Sequence, residues 1–333
     1  DYHNLSREEI VSIVRDAGIV GLGGAGFPTF VKLSPKEIDK IDLFLVNGAE
    51  CEPYLTSDYR DMMEMPEKLI GGLQVVLSIF PNAKGKICIE DNKPEAIKLL
   101  TEKVKGMDNI EVVALRTRYP QGGERQLIYA ASGRKINSSM LPADAGVVVD
   151  NVDTVVAIYE AVCESKPLVR KILTVTGDAV ASPGNFRVPL GTNYQQVISA
   201  AGGFSEDPEK VISGGPMMGM PLFVLDIPVT KNSSSILAFK KDPVAEEATT
   251  PCINCGRCVT ACPENLMPTL MMVASLQKNT ERFEKLYGME CIECGCCSYV
   301  CPAKRPLTQG FKQMKRKVNA EKRAKAVKAQ GGK

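Results

Sequence analysis

The stretch that decides the fold of the C-terminal part reads Cys252-Ile-Asn-Cys255-Gly-Arg-Cys258-Val-Thr-Ala-Cys262-Pro, and it returns as Cys291-Ile-Glu-Cys294-Gly-Cys296-Cys297-Ser-Tyr-Val-Cys301-Pro. Both follow C-x2-C-x2-C-x3-C-P. Three thiolates two residues apart can wrap one corner of a cuboidal iron–sulfur cluster, and the proline after the fourth cysteine turns the chain away. Where two such runs share a domain, the fourth cysteine of each serves the other cluster. The spacing therefore predicts one [4Fe–4S] cluster on Cys252, Cys255, Cys258 and Cys301, and a second on Cys291, Cys294, Cys297 and Cys262. Cys296 is out of register and is left unliganded. Structural zinc also uses four cysteines, commonly as C-x2-C pairs, but two complete runs in one segment favour iron and sulfide. The cysteines are too close in sequence to bridge one another without strain. A reducing compartment is expected, with no signal peptide evident.

Outward from this segment, composition narrows the rest. A length of 333 residues suggests two or three domains. With 44% hydrophobic and 24% charged residues there is enough apolar surface to fold throughout. The net charge of +2 gives no bulk attraction to nucleic acid, and no apolar run is long enough to span a bilayer. With one histidine, His3, near the chain start, a histidine-rich metal site is excluded and a Ser–His–Asp triad is not expected.

Upstream, Ser6 and Glu9 form a capping box that opens a helix with Ile10, Ile13 and Val14 on one face. A glycine-rich loop follows at 21–29. An apolar run over 41–46 reads as a buried strand leading into Asn47-Gly-Ala-Glu50-Cys51-Glu52-Pro53. Further strands are expected over 86–90, 110–114 and 146–149, with helices around 61–80 and 94–105. That alternation predicts an α/β domain over 1–165. Strands over 171–176, 186–190, 211–213 and 234–239 with a helix over 193–201 predict a small α+β domain at 166–240. Residues 241–251 read as a polar linker, 252–311 as the mostly helical two-cluster domain, and 312–333 as a basic tail. That tail reads as a solvated, partly disordered helix, with docking to an acidic partner or anionic leaflet as the alternative.

Gly21, Gly23 and Gly26 match G-x-G-x-x-G, but that fingerprint needs a strand before it and a helix at its end. Here a helix precedes and Phe27-Pro28 follows, so a dinucleotide fold of that type is not expected. Glycines and Ala25 still let backbone lie flat against a planar ligand or phosphate. Asn47, Glu50 and Glu52 sit at a strand's carboxyl end, where open α/β sheets bind ligands. A third loop, Tyr119-Pro-Gln-Gly-Gly123-Glu124-Arg-Gln, again pairs glycine with a carboxylate. Clusters pass single electrons and nicotinamide exchanges two, so a flavin is the natural converter. Cys51, Cys88 and Cys163 read as ordinary buried thiols, and the loop 214–219 as a structural turn with core methionines.

Four motifs, G-L-G-G-A-G-F-P-T (21–29), N-G-A-E-C-E-P-Y-L-T (47–56), Q-G-G-E-R-Q-L (121–127) and the paired ferredoxin-type runs, make the chain closely resemble the RnfC family. These are soluble subunits of the membrane-bound, ion-translocating Rnf complex. The first two motifs also resemble the FMN- and NADH-binding subunit of respiratory complex I, which differs at Ala49, Cys51 and Gly123. The resemblance implies FMN and NADH/NAD+ in the α/β domain. Gly21, Gly23, Gly24, Ala25 and Gly26 would lie against the cofactors, Phe27 in the nicotinamide pocket and Lys32 near the flavin. Asn47, Glu50 and Asn151 would approach FMN, while Glu52, Gly123 and Glu124 would face the nucleotide. A β-grasp (SLBB-like) domain is implied for 166–240.

The implied activity is electron transfer between NADH and ferredoxin, through FMN and two [4Fe–4S] clusters, coupled to ion transport. No side chain acts as a catalyst. The implied partners are an iron–sulfur subunit and membrane subunits of the complex, with ferredoxin reached indirectly. The implied location is peripheral, on the cytoplasmic face of the cell membrane. The family's additional N-terminal domain is expected to precede residue 1, which would make this chain a fragment. A corrinoid reductase with the same flavin and two-cluster plan is the alternative, and a cluster relay without flavin a third reading.

Overall fold

Strand β1, Leu43–Gly48, is apolar over Leu43–Val46 and almost wholly buried, as a strand covered on both faces must be. The computed structural model describes residues 2–330. β1 pairs in parallel with β2 (Lys84–Glu90) and β4 (Val147–Asn151), and β2 pairs in parallel with β3 (Ile110–Leu115). The order β3-β2-β1-β4 means that the chain winds outward from β1 and then returns to its other side. The helices of this part are α1 (Arg7–Asp16), α2 (Thr29–Lys32), α3 (Ser57–Glu64), α4 (Pro66–Ile79), α5 (Pro94–Lys103), α6 (Glu124–Ser132) and α7 (Val152–Glu164). Side chains alternate across the pleat. Phe44 and Val46 pack with Leu69 and Leu73 of α4 and Val155 and Ile158 of α7. Leu43 and Leu45 face Leu127 and Ile128 of α6 on the other side. The capping box of α1 is formed: Glu9 N donates to Ser6 Oγ and Ser6 N to Glu9 Oε2.

The second sheet has the order β6-β5-β9-β7-β8. Its strands are β5 (Arg170–Thr176), β6 (Gly184–Pro189), β7 (Lys210–Ser213), β8 (Met220–Leu222) and β9 (Ser235–Phe239). Helix α8 (Tyr194–Ala200) closes a core of Leu173, Val175, Tyr194, Val197 and Ile236. β8 was not anticipated: it is a three-residue edge strand containing Pro221, with no alternation to betray it. The two sheets form one unit reaching to Lys241. Lys171 of β5 donates to Leu22 O (3.0 Å) and pairs with Asp153 of α7 (2.7 Å). Arg187 of β6 pairs with Glu160 of α7, and Lys231 donates to Gly18 O.

The second unit starts at Asp242. It contains α9 (Pro243–Glu246), α10 (Arg257–Thr260), α11 (Pro268–Leu276), α12 (Thr280–Lys285), α13 (Cys296–Tyr299) and α14 (Leu307–Gln330). Its core joins Met271, Phe283, Leu307, Phe311, Met314 and Val318. Residues read as a polar linker are tied to this unit: Thr250 N donates to Ala303 O, and Glu247 pairs with Lys304. The expected boundary at 311/312 falls inside α14. Positions 307, 311, 314 and 318 repeat at helical spacing and are buried, so the first part of the basic segment is core-forming helix. Residues 331–333 of the expected tail lie outside the described residues. Among the described residues, no helix is long and apolar enough to cross a membrane.

Candidate cofactor sites

The strand order places a topological switch point between β1 and β4, the position where open α/β sheets bind ligands. Asn47 and Asn151 are register partners there. Asn47 Nδ2 donates to Gly122 O (2.9 Å), which draws the third sequence loop to the end of β1. Asn151 Oδ1 caps α7 by accepting from Asp153 N, and its Nδ2 donates to Asp58 (2.6 Å). The glycine loop closes on itself, with Gly21 N donating to Phe27 O and Gly26 N to Gly21 O. It is pinned at Leu22, whose N–H donates to Thr154 Oγ1 (2.9 Å) and whose carbonyl accepts from Lys171. Gly26 has φ +65°, the left-handed region that favours glycine, and a Cβ there would lie 2.2 Å from Asn232 Oδ1, so that side chain would have to move. A Cβ on Gly23 would stand 3.4 Å from that of Asn151, so the loop runs beside the end of β4. Phe27 keeps 47% of its surface exposed at the loop's exit.

Charge is concentrated around this cleft. Lys32 Nζ donates to Val149 O (2.8 Å) and pairs with buried Asp150 (2.9 Å), whose Oδ2 has no partner. Burial raises the carboxyls of Asp150 and Glu124, opposed in both by the Lys32 charge. Glu50 accepts from Asp58 N and Tyr59 N at the start of α3, and burial beside Asp58 pushes it up to about 8. Asp61 is 1% exposed with both carboxylate oxygens unpartnered; burial, then the charges of Asp153 and Asp58, push it up to about 9. Asp58, Asp61 and Lys171 went unremarked in the sequence. The signal available was Asp61 next to Met62 on the buried face of α3.

Glu52 is engaged away from the loops around it. Its carboxylate accepts from Met217 N (3.1 Å) and Met218 N (2.9 Å) of the second sheet's glycine loop. That loop is not a methionine core: Met218 is exposed. A flat glycine cradle, facing amides and an orphaned buried carboxylate oxygen fit a planar, polar-edged flavin.

The cysteine runs adopt one backbone twice. Asn254 and Glu293 have positive φ, as do Gly256 and Gly295, and as do Asn265 and Lys304 beyond each fourth cysteine. The short helices α10 and α13 start at equivalent positions, directly after Gly256 and Gly295. One cavity is lined by Cys252, Cys255, Cys258 and Cys301. The other is lined by Cys262, Cys291, Cys294 and Cys297, joined by Cys296, which the spacing had set aside. Among the described residues no three His, Cys, Asp or Glu side chains converge on a single-ion site; the cysteines border two cavities. Cys252 and Cys255 are exposed, whereas Cys294 and Cys297 are buried. Burial pushes the Cys51 and Cys88 thiols up to about 12. Cys163, expected to be buried, is exposed on α7.

Three family models match in chain order: the Nuo51 FMN-binding domain over 14–160, the SLBB domain over 172–221 and the 4Fe-4S dicluster domain over 245–322. Together they define a flavin-bearing iron–sulfur electron-transfer protein. The chain is 45% identical over 320 residues to the C subunit of the Na(+)-translocating ferredoxin:NAD(+) oxidoreductase complex of Acetobacterium woodii, covering 96% of this chain and 72% of that one. It is 44% identical over 289 residues to the C subunit of the proton-translocating ferredoxin:NAD(+) oxidoreductase complex of Clostridium ljungdahlii, covering 87% and 63%. A Haemophilus influenzae relative, the C subunit of an ion-translocating oxidoreductase complex, is 40% identical over 319 residues, and the chain spans 49% of its length. The chain belongs to the RnfC family. A solved chain of an NAD+-reducing [NiFe]-hydrogenase in the H2-reduced state shares the fold, with a TM-score of 0.63 at 20% identity, over 94% of this chain and 62% of that one.

Proposed function

We propose that this chain moves electrons between NADH/NAD+ and ferredoxin as the peripheral subunit of an Rnf complex, in a process coupled to ion transport. The observation that carries the reading is the presence, in one chain, of glycine and amide loops meeting at a strand-end switch point and two separate cysteine-lined cavities. When bound, FMN supplies the exchange between two-electron nicotinamide chemistry and the single electrons carried by iron–sulfur clusters.

The chain's own residues bind and orient. Gly21, Gly23, Gly24, Ala25 and Gly26 offer bare backbone, and Asn47 and Asn151 offer amides at the switch point. Glu50 braces α3 behind them. Lys32, fixed by Asp150, presents a cation beside Glu124. Phe27 shields the nicotinamide from water, and Glu52, Gly123 and Glu124 line the nucleotide's approach. Cys252, Cys255, Cys258 and Cys301 hold one cluster; Cys291, Cys294, Cys297 and Cys262 hold the other. An iron–sulfur subunit and membrane subunits are the partners, with contact to the cytoplasmic face of the membrane made through them.

Anaerobic purification with iron, sulfide and flavin quantitation, followed by electron paramagnetic resonance after NADH addition, tests this. About eight irons and one FMN, with cluster signals appearing on NADH, are expected. Iron without flavin and no response to NADH would leave only a relay. Glu52→Ala should weaken nucleotide binding while cluster content holds; unchanged NADH affinity would remove Glu52 from the nucleotide site.

A further inference from the structure

The two cysteine runs share a backbone but not their surroundings, and the difference lies on α14. This helix turns Thr308, Phe311 and Lys315, spaced for one helical face, toward the segment of the second run. Thr308 is 6% exposed, and its Oγ1 lies 3.6 Å from Cys297 Sγ. Ser298 Oγ accepts from Thr308 N (2.9 Å) and lies 2.9 Å from Thr308 Oγ1. A ligating cysteine is a thiolate and has no proton to give. The proton between Thr308 and Cys297 must then come from the threonine. Ser298, whose oxygen already accepts from the Thr308 backbone, is left to donate its own proton to Thr308 Oγ1. The result is a directed relay, Ser298 O–H to Thr308 O–H to Cys297 sulfur, and each bond in such a chain strengthens the next.

The first run lacks this relay. Position for position, Thr308 corresponds to Thr269 and Cys297 to Cys258, but Ser298 corresponds to Val259, which has no hydroxyl. Thr269 is half-buried at the edge of the first cavity. Lys315 Nζ also donates to Cys291 O (2.6 Å) and pairs with Glu293 (2.9 Å), which ties α14 to the second run without adding net charge beside it.

We infer that Thr308, oriented by Ser298, is a positioning residue that raises the reduction potential of the cluster held by Cys262, Cys291, Cys294 and Cys297, and so sets its rank against the other cluster. The inference rests on the ligand assignment proposed above. Reduction adds negative charge that the sulfurs share, so a donor on a ligand sulfur stabilises the reduced form more than the oxidised one, and hydrogen bonds to sulfur are among the levers that set cluster potential. Burial of Cys294 and Cys297 acts in the opposite direction, and the relay offsets it.

The test uses the anaerobically purified, cluster-loaded chain and a redox titration followed by electron paramagnetic resonance. Iron content and the wild-type signals come first: fewer than two clusters in the wild type would sink the ligand assignment itself. In Thr308→Val, which keeps shape and removes the hydroxyl, the second-run cluster should become harder to reduce by about tenfold at fixed potential, about 59 mV for one electron. The other cluster should not move. Thr308→Ser should restore the wild-type value, and Ser298→Ala should give a smaller shift of the same sign. Thr269→Val should leave the second-run cluster where it is. Full iron content with both potentials unmoved in Thr308→Val would overturn the inference while leaving the ligand assignment standing. Should Thr308→Val lose iron, Ser298→Ala decides: an unmoved potential there overturns the relay.

Discussion

Lys171 is the cation on which the junction of the two sheets turns. Its side chain is 4% exposed, pairs with Asp153 at 2.7 Å and donates to Leu22 O at 3.0 Å. Its charge also opposes the upward shifts of Asp58 and Asp61. Lys171→Met keeps the length and removes the charge, leaving Asp153, whose side chain is 15% exposed, beside two further carboxyls and the Leu22 carbonyl without this donor. Removing one partner of a buried pair costs about 3–5 kcal/mol. For a unit of this size that is a fall in melting temperature of roughly 10 °C. Because the chain has no tryptophan, unfolding is best followed by circular dichroism in urea. Asp153→Asn in the same background should recover more than half of the loss, since the stranded charge is then gone. The single variant should also retain less FMN, because Leu22 lies within the glycine loop. A loss under about 1 kcal/mol near neutral pH, with flavin retention unchanged, would refute the reasoning, because an exposed pair would cost no more than that.

Gly26→Ala should abolish flavin retention while iron content stays at the wild-type level, because the added methyl meets Asn232 and the backbone there is left-handed; flavin fluorescence after release and iron assay on the same sample check it. Asp61 has a folded pKa near 9 against 3.8 unfolded, so the folded chain holds a proton that the unfolded chain releases, and stability should fall as pH rises through that window. Asp61→Asn should flatten the fall and stabilise the chain at about pH 8, by a few kcal/mol at most; melting curves at about pH 5 and about pH 8 with equal slopes for both proteins would count against it. Cys262→Ser and Cys294→Ser should erase the same paramagnetic signal, and Cys301→Ser the one erased by Cys255→Ser. A Cys262 variant that instead matches Cys255→Ser would mean that each run keeps its own cluster.

The parallel sheet was readable because β1 is a continuous apolar run ending in Asn47-Gly48, and a strand buried on both faces leaves that trace. The two cysteine runs were legible from their spacing, and each cavity is bordered by the cysteines that spacing groups together, with Cys296 added to one. What sequence could not carry were contacts closed by tertiary packing. Glu52 and Met217 are far apart in the chain, and neither residue type predicts the other. Asp58 and Asp61 look like solvent-facing helix positions until α3 is seen packed beneath the second sheet. Charge misled in α14: the lysines suggested a tail, and the wider spacing of Leu307, Phe311, Met314 and Val318 was the weaker signal. Cys296 is out of register with the ligand spacing, yet register says nothing of where an extra thiol will sit, and it sits in the second cavity.

The exchange of fourth ligands has a consequence for how the second unit holds together. Cys262 leaves the first run to border the second cavity, and Cys301 does the reverse. Under the ligand assignment proposed above, neither run would complete a cluster alone, and metal-binding free energy would become folding free energy of the pair rather than of either half. This matters for a unit whose apolar core is small and partly made of the cysteines themselves. It also explains why the repeat tolerates divergence outside the ligands. Arg257 against Cys296, Val259 against Ser298 and Asn254 against Glu293 leave the shared backbone intact, with positive φ retained at both members of the last pair. On that assignment the crossing would fix where the clusters sit, and the diverged positions would then be free to make the two cluster environments unequal.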